Sequence, residues 1–197
     1  MKLKVVMKST LSIFFLSIFL MFSGLLYAQE KWNLNFRPAV NFATQDVGDA
    51  EIKTGFGFEF TVGYKIVRPL TAYVGWGWNQ FTAEESFAGI NADIEETGYV
   101  FGLQFNLPVK SSKMHYWVSG GGIYNHIETE NSSGDLKFNT DHKIGFQIAA
   151  GLKFVIAETW RLSPDVRYRS LSTTIKSENI DLELSYLSFG IGLSKAF

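Results

Sequence analysis

From Lys143 to Ile156 the chain reads KIGFQIAAGLKFVI, and every second residue is apolar. Ile144, Phe146, Ile148, Ala150, Leu152, Phe154 and Ile156 share one face; Gly145, Gln147, Ala149, Gly151 and Lys153 share the other. A repeat of two belongs to a β-strand and not to a helix. The same alternation returns in eight segments between residue 31 and the end of the chain, and no sustained 3.6-residue period appears beside it. The chain is therefore expected to be all-β. What the alternation leaves open is whether the apolar face lines a core or meets a hydrocarbon solvent.

The other seven segments show the same signature. Segment 31–43 carries Trp32, Leu34, Phe36, Val40 and Phe42, and segment 54–66 carries Phe56, Phe58, Phe60, Val62, Tyr64 and Ile66. Segment 70–82 carries Ala72, Val74, Trp76 and Trp78, and segment 95–107 carries Tyr99, Phe101, Leu103, Phe105 and Leu107. Segment 114–127 is less regular and is phased on Tyr116, Val118 and Tyr124. Segment 160–171 shows Leu162, Val166 and Tyr168, and segment 180–197 closes on Leu187, Phe189, Ile191, Leu193 and Phe197. The connections alternate between tight (VRP, PVKSSK, AET) and long and polar (TQDVGDAEIK, AEESFAGINAD, ETENSSGDLKFNTDH, STTIKSEN). Tight turns at one end and long loops at the other predict an eight-stranded antiparallel up-and-down barrel, with both termini at the tight-turn end.

Volume decides which way the faces point. The segments above present thirty-eight apolar residues, many of them aromatic. An eight-stranded barrel has an interior just wide enough for its own side chains or one small ligand. The opposite face is rich in glycine (Gly57, Gly63, Gly75, Gly77, Gly98, Gly102, Gly145, Gly151, Gly190, Gly192) with a few charges. Only that face suits a narrow lumen, so the apolar face is assigned outward, into lipid. A soluble ligand-binding barrel, the opposite assignment, would have to pack all thirty-eight inside.

Aromatic placement gives the same reading. Trp32, Tyr64, Tyr116, Trp160 and Phe197 fall near the tight-turn end, and Phe42, Trp78, Tyr99, Tyr124 and Tyr168 near the long-loop end. Two rings at opposite ends match the girdles of a membrane barrel at the two interfaces. With these features the chain resembles the small eight-stranded outer-membrane barrels of the outer-membrane protein X and outer-membrane protein A transmembrane-domain type. The resemblance covers residues 30–197 as a pattern. Its sharpest part is the ending SFGIGLSKAF, in which Phe189, Ile191, Leu193 and Phe197 resemble the signal read by the outer-membrane assembly machinery; Lys195 departs from that pattern, at a depth where its stem can snorkel. The resemblance implies a Gram-negative type of envelope, contact with outer-membrane lipid and lipopolysaccharide, and a monomer.

The N-terminal MKLKVVMKSTLSIFFLSIFLMFSGLLYAQE has a basic start (Lys2, Lys4, Lys8) and an uncharged run from Ser9 to Tyr27. It predicts a signal peptide over 1–28 and a barrel domain over 29–197; an uncleaved anchor is the alternative. With no cysteine, neither a lipidated Cys nor a disulfide is available. The leader holds three of the eighteen basic residues and none of the nineteen acids, leaving a net charge of −4. No nucleic-acid partner is implied.

Candidate sites follow from the lumen face and the loops. Glu59, Lys65, Glu96, Lys153, Arg161, Asp165, Arg167 and Arg169 are expected to form a polar network filling the lumen, because buried charges must be paired. The long loops are acidic (Asp46, Asp49, Glu51, Glu84, Glu85, Asp93, Glu128, Glu130, Asp135, Asp141), and Arg68, Lys110 and Lys113 make the other end basic. The acidic rim would be solvated, hold divalent cations bridging lipopolysaccharide phosphates, or present an adhesive surface, with Phe87 and Ile90 as a small contact patch. His115, His126 and His142 do not form the His–Ser pairing that an outer-membrane lipid hydrolase needs, so no enzyme, cofactor or metal site is expected. NSS at 131–133 matches a glycosylation sequon.

The expected role is structural or surface-interacting, through adhesion or an extracellular partner. A narrow, porin-like solute pore is the alternative, and a lipid-modifying enzyme a further one. Pro38 and Pro164 are expected to force bulges or irregular pairing. Ile180, Leu182 and Leu184 alternate out of phase with Leu187–Phe197. Either a bulge near Ser185 resets the register, or this part stands above the membrane.

Overall fold

The computed structural model describes residues 31–46, 52–86, 89–108, 113–131, 133, 135–175 and 180–197. Expectations resting on residues 1–28, Asp49, Glu51, Phe87, Lys110 and Ser132, and on the side chains of Glu84, Glu85, Ile90 and Ile180, lie outside what it describes.

The alternating segments form β1 (Trp32–Ala43), β2 (Gly55–Val67), β3 (Leu70–Ser86), β4 (Gly89–Pro108), β5 (Met114–Glu130), β7 (Lys143–Val155), β8 (Trp160–Ile175) and β9 (Ile180–Ala196). A short additional strand, β6 (Leu136–Asn139), pairs only with the outer end of β5. Each barrel strand pairs antiparallel with the next, β5 passes over β6 to β7, and β1 closes on β9. The result is a closed eight-stranded barrel with no free edge. Both ends of the barrel chain lie together, where the Phe197 amide donates to the Trp32 carbonyl at 2.9 Å.

Three of the long polar connections expected from the sequence are partly strand, the one between β3 and β4 most of all. β3 and β4 continue as a ladder as far as Ser86↔Gly89, β6 occupies part of the connection after β5, and β8 and β9 pair out to Ile175↔Ile180. The reason is the interior of this upper part. Phe81, Ala83, Ile94, Ile123, Ile127, Leu171, Leu182, Leu184 and Tyr186 turn inward and form one buried apolar cluster, against which Ile52 and Phe138 pack. Facing outward at the same height are Thr82, Asp93, Glu95, Glu128, Ser172 and Glu183.

Lower down the polarity is reversed. Phe36, Phe60, Val74, Trp76, Phe101, Leu103, Val118, Ile148, Phe189 and Ile191 are exposed on the outer surface, and Asn41, Glu59, Thr61, Gln147, Arg167 and Ser188 are buried inside. The barrel thus has two zones, one dressed for an apolar solvent and one for water, on the same continuous strands. This accounts for the phase of residues 180–186. The β8–β9 register runs unbroken from Ile180 to Lys195, so no bulge lies near Ser185. Leu182 and Leu184 face inward in the same phase as Tyr186 and Ser188; what changes along the strand is the solvent outside.

Pro38 and Pro164 produce the irregular pairing expected of them, and no bulge. Pairing of β1 with β9 is interrupted between Phe36↔Leu193 and Ala39↔Gly190, and that of β7 with β8 between Gly151↔Asp165 and Phe154↔Leu162. The register is the same on either side of each interruption. A missing N–H removes ladder bonds without requiring an extra residue. Glycine is needed where side chains cross the lumen: at Gly102 and Gly121, which face each other across β4 and β5, a Cβ would stand 2.6 and 2.7 Å from the Tyr73 hydroxyl.

The two zones predict different tolerance to the same substitution. Phe60→Arg, on the outer face of the lower zone, is expected to lower unfolding stability in lipid vesicles by about 2–4 kcal/mol. Ser172→Arg, outward in the upper zone, should stay within about 1 kcal/mol of the parent. Urea titration followed by tryptophan fluorescence measures both.

Candidate functional site

Alternation turns polar side chains from all eight barrel strands toward one another at mid-height. Glu59 on β2 accepts from Arg167, and from Arg169 Nη2 at 2.7 Å, both on β8. Gln147 on β7 joins them: its Oε1 accepts from Arg169 at 2.7 Å and Arg167 at 3.3 Å, and its Nε2 donates to Tyr73 of β3 at 3.1 Å. Glu96 on β4 lies 3.5 Å from Arg169 Nη1 and accepts from the Tyr186 hydroxyl of β9, from Asn125 of β5 and, at 3.2 Å, from Asn79 of β3. Arg37 on β1 completes the ring: its Nη2 lies 2.6 Å from Asp165 of β8, and its Nη1 donates to Ser188 Oγ of β9 at 3.1 Å.

The belt contains three guanidinium groups and three carboxylates, so its formal charge is balanced. None of these six side chains is more than 8% exposed. At such burial an unpaired ion costs several kcal/mol, and pairing with multiple hydrogen bonds is the arrangement that avoids the penalty.

Of the eight residues expected in the lumen network, Glu59, Glu96, Asp165, Arg167 and Arg169 form the belt. Lys65, Lys153 and Arg161 do not reach it; they line a vestibule at the tight-turn end. Sequence reasoning missed Arg37, Gln147 and Tyr186 as members. Arg37 was marked by its phase, since it alternates with Phe36 on the same face as Asn35 and Asn41. Tyr186 was masked by its type, because an aromatic in this chain reads first as a lipid-facing residue.

The lumen is layered. The vestibule has a volume of about 390 Å³ and leads into a polar chamber of about 50 Å³ bounded by Arg37, Glu59 and Arg167. A cavity of about 10 Å³ lies among Glu59, Arg167, Arg169 and Tyr186 in the belt. Beyond it stands the apolar cluster, where Phe81 and Tyr186 meet edge to face at 5.0 Å.

On the outer surface the aromatic residues lie in cross-strand contact. Near the tight-turn end Trp32 and Tyr64 are paired at 4.8 Å, Tyr116 is exposed, and Lys195 lies over Trp160 at 5.6 Å and over Phe197 at 5.0 Å. At the other end Tyr99 is directly opposite Tyr124, Phe42 packs on Phe189, Tyr168 on Phe146, and Trp78 donates to Glu95 at 2.9 Å. His126 and His142 contact each other at 3.1 Å, and His126 also contacts Glu128 at 3.1 Å.

A family model described as the outer membrane protein beta-barrel domain matches residues 14–197. Solved structures of similar shape include neisserial surface protein A, with a TM-score of 0.63 at 11% identity over 86% of this chain and 98% of that one. OprG of Pseudomonas aeruginosa has a TM-score of 0.57 at 13% identity, covering 85% and 96%. Outer membrane protein W of E. coli has a TM-score of 0.53 at 14% identity, covering 86% and 100%. At these identities the likeness is one of fold. A comparison with curated protein sequences found no match.

The belt geometry predicts a strongly asymmetric response to mutation. Glu59→Ala leaves Arg167 and Arg169 without their shared carboxylate, and a loss of about 3–5 kcal/mol is expected. Equilibrium urea unfolding in lipid vesicles, with the gel-mobility difference between unboiled and boiled protein as the measure of folded barrel, gives the value.

Proposed function

The chain belongs to the outer membrane protein β-barrel family and resides in the outer membrane, and from that premise we propose a non-catalytic barrel that supports the envelope and makes its contacts through the outward-projecting rim. The observation that carries this reading is the distribution of free surface. The lumen is filled by the charge belt and the apolar cluster, while β3, β4, β5, β8 and β9 project a water-facing wall past the aromatic row. One of the similar solved structures is named a surface protein, which agrees with a role at the rim.

The rim's chemistry favours anionic, cation-bridged surroundings. On its outer side Asp93 stands opposite Glu130 and Glu95 opposite Glu128, so carboxylates are paired across two strands at the height of the lipid headgroups. Like charges opposite each other repel, and divalent cations shared with lipopolysaccharide phosphates would relieve that repulsion. Beside these carboxylates His126 bonds to His142 and to Glu128, which adds a polar cluster to the same face of the rim. The outward Phe189, Ile191, Leu193 and terminal Phe197 are the proposed contact for the assembly machinery, the aromatic rows are the proposed interface anchors, and the barrel is proposed to act as a monomer.

A strain lacking the protein is expected to lose surface attachment or envelope resistance to chelators. Restoring it with residues 135–141 replaced by Gly and Ser should recover envelope resistance but not attachment. A deletion phenotype confined to uptake of a small solute, restored equally by both forms, would contradict this role.

A further inference from the structure

His126 and His142 are 16 residues apart in sequence, and the barrel register brings them face to face. The β5–β7 ladder runs out to Asn125↔Lys143; one rung further, His126 on β5 stands opposite His142, the residue before β7. Asn125 and Ile127 are buried inside the barrel, so alternation turns His126 outward together with Tyr124 and Glu128. His126 Nδ1 and His142 Nε2 are 3.1 Å apart, with the ring centroids at 4.3 Å. The Tyr124 ring, from the aromatic row below, packs on His142 at 5.0 Å.

Glu128 sets the protonation of the pair. A carboxylate only accepts, so His126 Nε2 carries the proton that it donates to Glu128 Oε1 at 3.1 Å. In the neutral ring Nδ1 then presents a lone pair toward His142. A carboxylate on the far nitrogen is the arrangement that orients a metal-binding histidine and raises its basicity. The spacing also fits. Two imidazole nitrogens on one tetrahedral or square-planar ion, each about 2.0–2.1 Å from it, lie about 2.8–3.4 Å from each other. His142 is exposed, so an ion reaches the gap from water. Without an ion the His142 Nε2–H bridges the gap; with one, the neutral ring carries its proton on Nδ1 instead.

We propose that His126 and His142 form an open, two-imidazole site on the outer rim for a divalent transition-metal ion, Cu(II), Ni(II) or Zn(II), with Glu128 as its positioning residue. Among the described residues no group of three or more His, Cys, Asp or Glu side chains could hold an ion. The pair therefore leaves the remaining coordination positions to water or to a donor from outside the barrel. Imidazole suits these ions, whereas magnesium and calcium take carboxylate and water oxygens. The site is thus chemically distinct from cation bridging by the Asp93–Glu130 and Glu95–Glu128 pairs, and it stands without the rim role proposed above.

The test uses the tag-free barrel in phosphatidylcholine nanodiscs, titrated calorimetrically with Cu(II) and then Zn(II) chloride in excess magnesium. One ion per barrel is expected, with Cu(II) bound more tightly than Zn(II). The electron paramagnetic resonance spectrum of the Cu(II) form should show nitrogen hyperfine structure from two imidazoles. Glu128→Gln should weaken binding about tenfold while keeping both nitrogens in the spectrum. His126→Gln or His142→Gln should weaken it further and leave one nitrogen. His115→Gln, in the vestibule at the other end, should change neither affinity nor spectrum. A retained gel-mobility difference on boiling shows that each variant is a folded barrel. Absence of saturable binding, displacement of the ion by magnesium, or equal binding by the His126→Gln/His142→Gln double variant and the parent would overturn the proposal.

Discussion

A strand surrounded by hydrocarbon has no water to satisfy its amides, so every backbone donor and acceptor must find a partner on a neighbouring strand. That requirement forces β1 onto β9 and closes the sheet. Closure in turn fixes everything else about side-chain use. Each residue faces either in or out, and eight strands set a lumen too narrow for most of the large apolar side chains. In the lower zone the outer face therefore takes Phe, Trp, Leu and Ile, and the inner face is left mostly with glycine, short polar side chains and a few long charged ones that reach across.

Closing such a lumen with charge is demanding, because the low dielectric that strengthens an ion pair also penalises any ion left over. The belt meets this with three guanidiniums against three carboxylates and with neutral partners, Gln147, Asn79, Asn125 and Tyr186, leaving the Nε groups of Arg167 and Arg169 buried without a partner. One step outward the solution changes to hydrophobic packing, with Phe81, Ile123, Leu171 and Tyr186 filling the bore. A polar belt and an apolar plug stand in series in the bore, which directs attention to the two ends. One end carries the Asp93–Glu130 and Glu95–Glu128 pairs, and the other a vestibule that Lys65, Arg68 and Lys153 help to line.

Much of this was legible from alternation alone: the eight strands, the outward direction of Phe60 or Ile148, and the identity of Glu59 and Arg167 as lumen residues. What alternation could not reveal was a change of solvent along one strand. Leu182 and Leu184 looked out of register because apolar residues had been equated with the lipid face. In the structure they keep the phase and lie inside, because outside them is water. The same inversion, present but unread, marks Phe81 against Trp78 on β3 and Ile127 against Tyr124 on β5. The length of β3 and β4 was missed for a related reason: AEESFAGINAD is polar enough to read as a loop, yet its ladder continues because Phe81, Ala83, Ala92 and Ile94 bury a core beneath it. Membership of the belt was only partly visible, since which lumen charges meet depends on the relative heights of strands far apart in sequence, such as Glu59 and Arg167. That stagger is a property of the closed barrel and not of any one segment.

The two-zone filling of the barrel implies closure of the bore between belt and plug. Single-channel recording of the purified barrel in planar lipid bilayers addresses it directly. A sealed lumen predicts insertion without reproducible conductance steps at either polarity. Stable, repeated open levels from the unaltered protein would show a continuous path through the belt, and would contradict the account.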